Sequence, residues 1–278
     1  MSLEHARVVL VETHYPGNLG ATARVMANFG LADLVLVNPI ADRHERNAKQ
    51  MATHGEDILN NARIVANLDD AIRDCVLVVG TSARTGGLFR QQNVDTPDHI
   101  VPHIVEALRA DRPAAILFGP EPNGLVNDII VRCHYVIEIP TADRYRSLNL
   151  SQAVAVCLYE LYKCAETALP IVGNGLGMRG VSSPPLPLPH PQPLSPGAER
   201  GEETLANFES QEHMFRQLQT ALAEIHFLYG DKADALMHAI RHLLGKARLS
   251  EMEVKVLLGL ARQIRWYVAN HPSKIDET

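Results

Sequence analysis

The stretch Tyr145-Arg146-Ser147-Leu148-Asn149-Leu150-Ser151-Gln152 puts two small polar side chains, Ser147 and Asn149, where an apolar helix begins. That helix runs through Ala153-Val154-Ala155-Val156-Cys157-Leu158-Tyr159-Glu160-Leu161-Tyr162. A polar turn entering a helix offers backbone N–H groups and a partial positive charge. Such a place suits a carboxylate, a phosphate or a hydroxyl. Asn149 followed three residues later by Gln152 also reads as a helix cap with a capping box. Alone, the stretch is therefore better explained by structure than by function, since caps of this kind are common. Three other stretches in the first half also put Gly, Asn, Ser or Arg directly after an apolar run, and these shift the balance.

Working outward, the run before this stretch, Tyr135-Val136-Ile137-Glu138-Ile139, reads as a strand. Four earlier runs do the same: Val8 to Val11, Leu34 to Val37, Val76 to Val79 and Ala114 to Phe118. Helical sequence lies between them, over residues 21–29, 47–61, 68–74, 97–110 and 127–133, with Pro102 a candidate break in the fourth. Gly30 is the expected stop of the first. Short unbroken apolar strands alternating with helices predict an α/β domain whose mostly parallel sheet is covered on both faces. In such sheets ligands bind beyond the carboxyl ends of the strands. The Gly-rich turns Tyr15-Pro16-Gly17-Asn18-Leu19-Gly20, Gly80-Thr81-Ser82-Ala83-Arg84 and Gly119-Pro120-Glu121-Pro122-Asn123-Gly124 all fall there.

The character changes near Thr167. Residues 168–204 hold Val172-Gly173-Asn174-Gly175-Leu176-Gly177 and Pro184-Pro185-Leu186-Pro187-Leu188-Pro189-His190-Pro191-Gln192-Pro193. This composition predicts a partly disordered linker with polyproline character, which also suits a ligand for a small proline-binding domain. Residues 205–278 return to helix, over 208–228, 232–244 and from Ser250, where Glu253 stands at the third helical position. Val254, Leu257, Leu258, Ala261, Ile264 and Val268 mark a buried face of the last helix. The expected organisation is thus a domain over 1–167, a linker over 168–204 and a small all-α unit over 205–278.

With 278 residues and 46% apolar composition, the chain supports a real core. The formal charge of −6 argues against nucleic-acid binding through bulk charge, but leaves room for a local basic face. One such face is offered by Arg241, Lys246, Arg248, Lys255, Arg262 and Arg265, of which Lys255 and Arg262 are one heptad apart. A solvated helix surface explains the same cluster. Cys75, Cys133, Cys157 and Cys164 form no CxxC pair and read as thiols in a reducing compartment. No apolar run is long enough to span a membrane and no leader is recognisable, so a cytoplasmic location is expected.

Several chemistries read poorly. Gly17-Asn18-Leu19-Gly20 follows a strand and enters a helix, but lacks the first close Gly-x-Gly, and no acidic residue follows the second strand, so dinucleotide binding is weak. No Gly-Lys-Ser/Thr completes a phosphate loop. The pairs His238/His242 and His99/His103 lack a third ligand, so no metal is expected.

Taken in order, Glu12-Thr13-x-x-Pro16-Gly17-Asn18-Leu19-Gly20-Ala21-x-Ala23-Arg24, Val79-Gly80-Thr81-Ser82-Ala83-Arg84, Phe118-Gly119-Pro120-Glu121-x-x-Gly124-Leu125 and Ser147-Leu148-Asn149-Leu150-x-Gln152-Ala153-Val154 resemble the motifs of SPOUT-class RNA 2′-O-methyltransferases. The Gly-Thr-Ser-Ala-Arg element and the helical extension look most like the TrmJ branch, which methylates the ribose of a pyrimidine at position 32 of the tRNA anticodon loop. The proline-rich linker resembles nothing in that branch.

The resemblance implies a trefoil knot at the carboxyl side of the sheet, which periodicity alone does not reveal, and a homodimer whose active site uses both subunits. It implies S-adenosylmethionine bound by backbone around Thr81, Ser82, Ala83, Gly119, Ile139, Ser147, Leu148 and Asn149, with Gly119 allowing close approach of the backbone. Arg24, Ser147 and Asn149 would be the catalytic residues. Arg24 would engage the ribose hydroxyl or its phosphate; an arginine stays protonated and so orients rather than acts as a base. RNA would be held by Asn18, Arg24, Arg84, Arg241, Arg248, Lys255 and Arg262. Glu121, with proline on both sides, reads equally as a site residue or a loop brace. Ribosomal RNA as substrate, or a catalytically silent RNA-binding protein, are the alternatives to a tRNA enzyme.

Overall fold

A computed structural model describes residues 3–83, 94–167, 205–245 and 249–270. The first part of the chain runs β1 (Ala6–Val11), α1 (Pro16–Asn28), β2 (Asp33–Val37), α2 (Arg46–Ala52), α3 (Glu56–Asn61), β3 (Arg63–Val65), α4 (Leu68–Ile72), β4 (Leu77–Thr81), β5 (Val94–Asp95), α5 (Pro97–Arg109), β6 (Ala114–Phe118), α6 (Asn127–Ile130), β7 (Tyr135–Ile137) and α7 (Leu150–Thr167). All seven strands are parallel, in the order β3-β2-β1-β6-β4-β7-β5.

Side chains alternate between the two faces of a strand. In β1, Val8 and Leu10 join Leu34, Leu36, Val79, Ile116 and Phe118 under α1, α5 and α7. Val9 and Val11 point the other way and pack with Val35, Val78, Leu117 and α4. Both faces are covered, which is why the central strands read as unbroken apolar runs rather than as alternation. Arg7 lies on the second face and is buried. Its guanidinium donates to Asp33 at 2.6 Å, to Asp74 at 2.6 and 3.0 Å, and to the carbonyl of Ala71 at 2.7 Å. These partners hold a buried charge and tie β1 to the turn after α4.

Five strands were legible in the sequence; β3 and β5 were not. Both are edge strands of two or three residues with exposed or half-buried positions. The turn expected at 15–20 is instead the first turn of α1, with Pro16 at its start, where a missing N–H costs nothing. Pro102 does not break α5, which is continuous over Pro97–Arg109. Pro102 is solvent-exposed, so water can reach the backbone carbonyl it leaves unpaired. Burial pushes the thiols of Cys75, Cys133 and Cys157 up to about 12, so they are neutral packing groups.

Toward the C-terminus lie α8 (Phe208–Glu224), α9 (Ala233–Gly245) and α10 (Glu251–Asn270). Met214, Phe215, Leu218 and Ala221 pack against Val254 and Ala261, with Leu228 and Met237 closing the cluster. Ser250 and Glu253 form the expected capping box, Glu253 N–H donating to Ser250 Oγ and Ser250 N–H to Glu253 Oε2. The helical unit docks on the sheet domain. Phe208 N–H donates to the carbonyl of Cys75 at 2.8 Å and Glu209 N–H to that of Arg73 at 3.1 Å. The Phe208 ring enters the second face of the sheet core and lies 5.1 Å from the Arg132 guanidinium. Residues 168–204, the expected linker, lie outside the described residues. Among the described residues no helix is long and apolar enough to cross a membrane.

Candidate active site

Because every strand runs the same way, the segments leaving β1, β4, β6 and β7 emerge along one edge of the sheet. These strands are neighbours in the order β1-β6-β4-β7. The chain leaves β1 through Glu12, whose φ of 49° turns it sharply out of the strand. The four motifs therefore converge, and between three of them opens a cleft of about 940 Å³. Thr81, Ser82 and Ala83 line one side, the loop from Gly119 to Leu125 another, and Ile137, Ile139 and the segment from Asp143 to Leu148 the rest. Leu125, Ile137, Ile139 and Ala153 give it an apolar floor beneath a polar and charged rim.

Of the residues expected to hold a cofactor, Thr81, Ser82, Ala83, Gly119, Ile139, Ser147 and Leu148 line this cleft. Asn149 does not, because its side chain is engaged beside it. The Asn149 carboxamide oxygen accepts from Ser151 N–H at 2.9 Å and Ser151 Oγ at 2.7 Å, and Gln152 Oε1 accepts from Asn149 N–H at 3.2 Å. This is the capping box at the start of α7. The remaining Asn149 group, Nδ2, donates to Asn18 Oδ1 at 3.1 Å. The cap of α7 and the link to the first motif thus reside in one side chain.

Asn18 in turn donates through Nδ2 to Glu121 Oε1 at 2.6 Å. Glu121 also accepts from the backbone N–H of His14 at 3.0 Å and of Tyr15 at 3.4 Å. Three motifs are tied together by this run from Asn149 through Asn18 to Glu121. Glu121, left undecided by the sequence, is its anchor: a carboxylate offers only acceptors, which is what two backbone N–H groups and an amide NH₂ require. Asn18, expected to touch RNA, is only 8% exposed and its amide is occupied on both sides, so it ties the first motif to the other two.

The glycines serve packing. A Cβ on Gly119 would lie 2.2 Å from the backbone N of Leu125 and 2.3 Å from the carbonyl carbon of Gly124. Gly119 is thus needed by the folding of its own loop, a different reason from the close ligand approach expected. Gly124 completes that loop at φ 66°. A Cβ on Gly20 would lie 1.9 Å from the carbonyl oxygen of Ala48, so Gly20 lets α2 rest directly on α1.

Arg24 is exposed on α1 and does not line the cleft of its own chain. Six residues beyond Asn18 at 100° per residue, it leaves the helix on another face. Of the basic residues expected to meet RNA, Lys255 and Arg262 are exposed on α10. Arg241 is not: its guanidinium pairs with Glu212 and lies 4.6 Å from the Phe215 ring, with the side chain 17% exposed, so it is a brace of the helical unit. Arg84 and Arg248 lie outside the described residues. His99 is paired with Asp95, and His103 stacks on Tyr135. Among the described residues no three metal-ligating side chains come together.

This fold and cleft define a methylase of one known class. The sequence pattern of the SpoU rRNA Methylase family matches residues 5–159, and the chain belongs to that family. The pattern of the tRNA methyltransferase TrmJ C-terminal domain matches residues 209–274. Among its relatives is the tRNA (cytidine/uridine-2′-O-)-methyltransferase TrmJ of Salmonella choleraesuis strain SC-B67, 33% identical over 94% of this chain and 97% of that protein. The protein of the same name from Cronobacter sakazakii is 34% identical over 94% and 96%. The crystal structure of TrmJ from Z. mobilis ZM4 superposes with a TM-score of 0.71 at 27% identity, covering 94% of this chain and 99% of that one.

Proposed function

We propose that this protein transfers a methyl group from S-adenosylmethionine to the 2′-hydroxyl of a pyrimidine ribose in the tRNA anticodon loop, at position 32 by resemblance. The observation that carries the reading is the run Asn149–Asn18–Glu121 at the rim of a cleft lined by Ser147. It brings three separate motifs to one place beside a cavity of cofactor size. The curated relatives that match nearly the whole chain, including its helical extension, carry the corresponding name.

The cleft suits this cofactor. Its apolar floor of Leu125, Ile137, Ile139 and Ala153 fits an adenine face, and its rim offers polar groups for a ribose and an amino acid. Bound there, S-adenosylmethionine supplies an electrophilic methyl group. The protein must bind and orient the acceptor and provide for one proton. Ser147, on the rim two residues before the α7 cap, can orient the ribose hydroxyl. Asn149 is held by five hydrogen bonds, one of them from Ala153 N–H to its carbonyl, and keeps that rim rigid. A protonated arginine stabilises the forming alkoxide, and a neighbouring phosphate can take the proton.

That arginine is Arg24. Its position away from its own cleft supports a two-fold dimer in which each subunit lends Arg24 to the other. The face of α7 bearing Val156, Tyr159 and Tyr162 is exposed, with Phe29 set against both tyrosines at ring distances of 6.3 and 5.7 Å, and offers an apolar interface. Lys255 and Arg262 on α10 supply part of a basic track for RNA, whose binding is therefore salt-sensitive.

The test is methyl transfer from labelled S-adenosylmethionine to total tRNA beside ribosomal RNA, with Arg24→Ala as control and mapping by nuclease resistance of the methylated linkage. Label on an anticodon-loop ribose, lost in Arg24→Ala, supports the reading. Label on ribosomal RNA alone overturns the substrate. Cofactor binding with no transfer to either favours a silent RNA-binding protein.

A further inference from the structure

The cleft rim carries a short segment that neither the capping of α7 nor the cofactor floor explains. Residues 143–146 form a turn pinned at three points. Tyr145 N–H donates to the carbonyl of Ala142 at 3.1 Å, Thr141 Oγ donates to the carbonyl of Arg146 at 3.2 Å, and the Arg146 guanidinium pairs with Asp143. The backbone is thus fixed, yet the two side chains between the pinned residues have nothing to pack on. Tyr145 is 78% exposed, and Arg144 is exposed beside it. Asp143 is used by Arg146, and no carboxylate among the described residues pairs with Arg144. Both line the cleft, two and three residues before Ser147.

An exposed ring contributes little to folding, and an unpaired arginine beside it contributes less. A rigid turn that presents both at the mouth of a site needs an occupant outside the chain. Nucleic acid supplies the matching pair: a base has a π-face for the ring, and the adjoining phosphate a charge for the guanidinium.

We propose that the turn 143–146 is the element that holds the target nucleotide, Tyr145 stacking on its base and Arg144 meeting its phosphate. The inference rests on the RNA-methylating reading above and deepens it. Stacking uses the face of the base and leaves its hydrogen-bonding edge unread. This rim therefore positions the ribose without selecting between cytosine and uracil. The turn would swing the ribose of the stacked nucleotide toward Ser147, two residues on.

The test uses the full chain with unmodified tRNA transcripts carrying C or U at the target position, measuring kcat/KM for transfer and, separately, cofactor affinity by titration. Tyr145→Leu keeps an apolar side chain but removes the ring, and should lower kcat/KM for RNA by about 5- to 100-fold, the range of one base–aromatic contact. The loss should be equal for C and U, with cofactor affinity unchanged. Tyr145→Phe should restore most of it. Arg144→Ala should reduce the salt slope of RNA binding by about one phosphate contact. Wild-type rates in Tyr145→Leu, a Tyr145→Phe as impaired as Tyr145→Leu, a parallel loss of cofactor affinity, or a loss confined to one base would each overturn the assignment. Absence of transfer to any tRNA by the unsubstituted protein would instead overturn the reading beneath it, and the assignment with it.

Discussion

His134, just before β7, and Gln211, on α8, join the two halves of the chain through one buried hydrogen bond, 3.1 Å from Nε2 to Oε1. Val78 N–H donates to His134 Nδ1 at 3.0 Å, so Nε2 carries the proton and donates to Gln211. Gln211 Nε2 donates to the carbonyl of Ala206 at 2.9 Å, which fixes the amide the other way round. Gln211→Leu removes both bonds and should cost about 1–3 kcal/mol. Chemical denaturation would reveal the loss as a lower midpoint, and an unchanged midpoint would show that the contact is idle.

The rim anchor can be probed by Glu121→Gln. The carboxylate accepts three donors, whereas a carboxamide brings one oxygen and an NH₂ that must face N–H groups. Losing a charge-assisted bond is worth about 1.5–3 kcal/mol, or roughly 10- to 150-fold in kcat/KM if the rim acts in the transition state. Steady-state methyl transfer gives the answer; full activity would make Glu121 a loop brace only.

Gly20→Ala tests the contact of α1 with α2. The added methyl would meet the Ala48 carbonyl oxygen at 1.9 Å and the Ala52 nitrogen at 2.9 Å, both backbone atoms that cannot turn aside. Overpacking of this kind costs about 3 kcal/mol. A thermal melt of the variant should fall well below that of the parent, and an equal melting temperature would mean that α2 is free to move.

Acid stability should depend on Asp74. Its bond to the Arg7 guanidinium holds its carboxyl below the ordinary carboxylate range. A depressed pKa in the folded state gives stability that is complete above the unfolded value, near 4, and lost as pH falls through the folded one. The difference in melting temperature between the parent and Asp74→Asn should thus be largest at neutral pH and narrow below about pH 4. A gap that stays constant into acid would show that the pair does not titrate with folding.

The sheet was legible where strands were buried on both faces, because the apolar runs of β1, β2, β4, β6 and β7 are short, rich in β-branched residues and bounded by turns. The edge strand Arg63-Ile64-Val65 was hidden because a half-solvated three-residue strand leaves no periodic trace. Around the cleft, the cap by Asn149 and the polar turn at Ser147 were legible because both are local features. The partners of Glu121 were not, since they stand more than a hundred positions away in the chain. The pairing of Arg241 was hidden for the same reason: its charge is visible in the sequence, while its partner Glu212 comes from another helix.

The parallel order of the strands bears on how the protein is made. β1 sits inside the sheet, and one of its neighbours, β6, pairs Ala6 with Ala114 and Leu10 with Phe118. β4 likewise waits for β7, through Gly80 and Val136. A ribosome adding about 5–20 residues per second leaves the first strand with an open edge for on the order of ten seconds. During synthesis a strand that is apolar but for Arg7 therefore stays available to chaperones, or to neighbouring nascent chains, until its partner about a hundred residues on has followed it out of the tunnel.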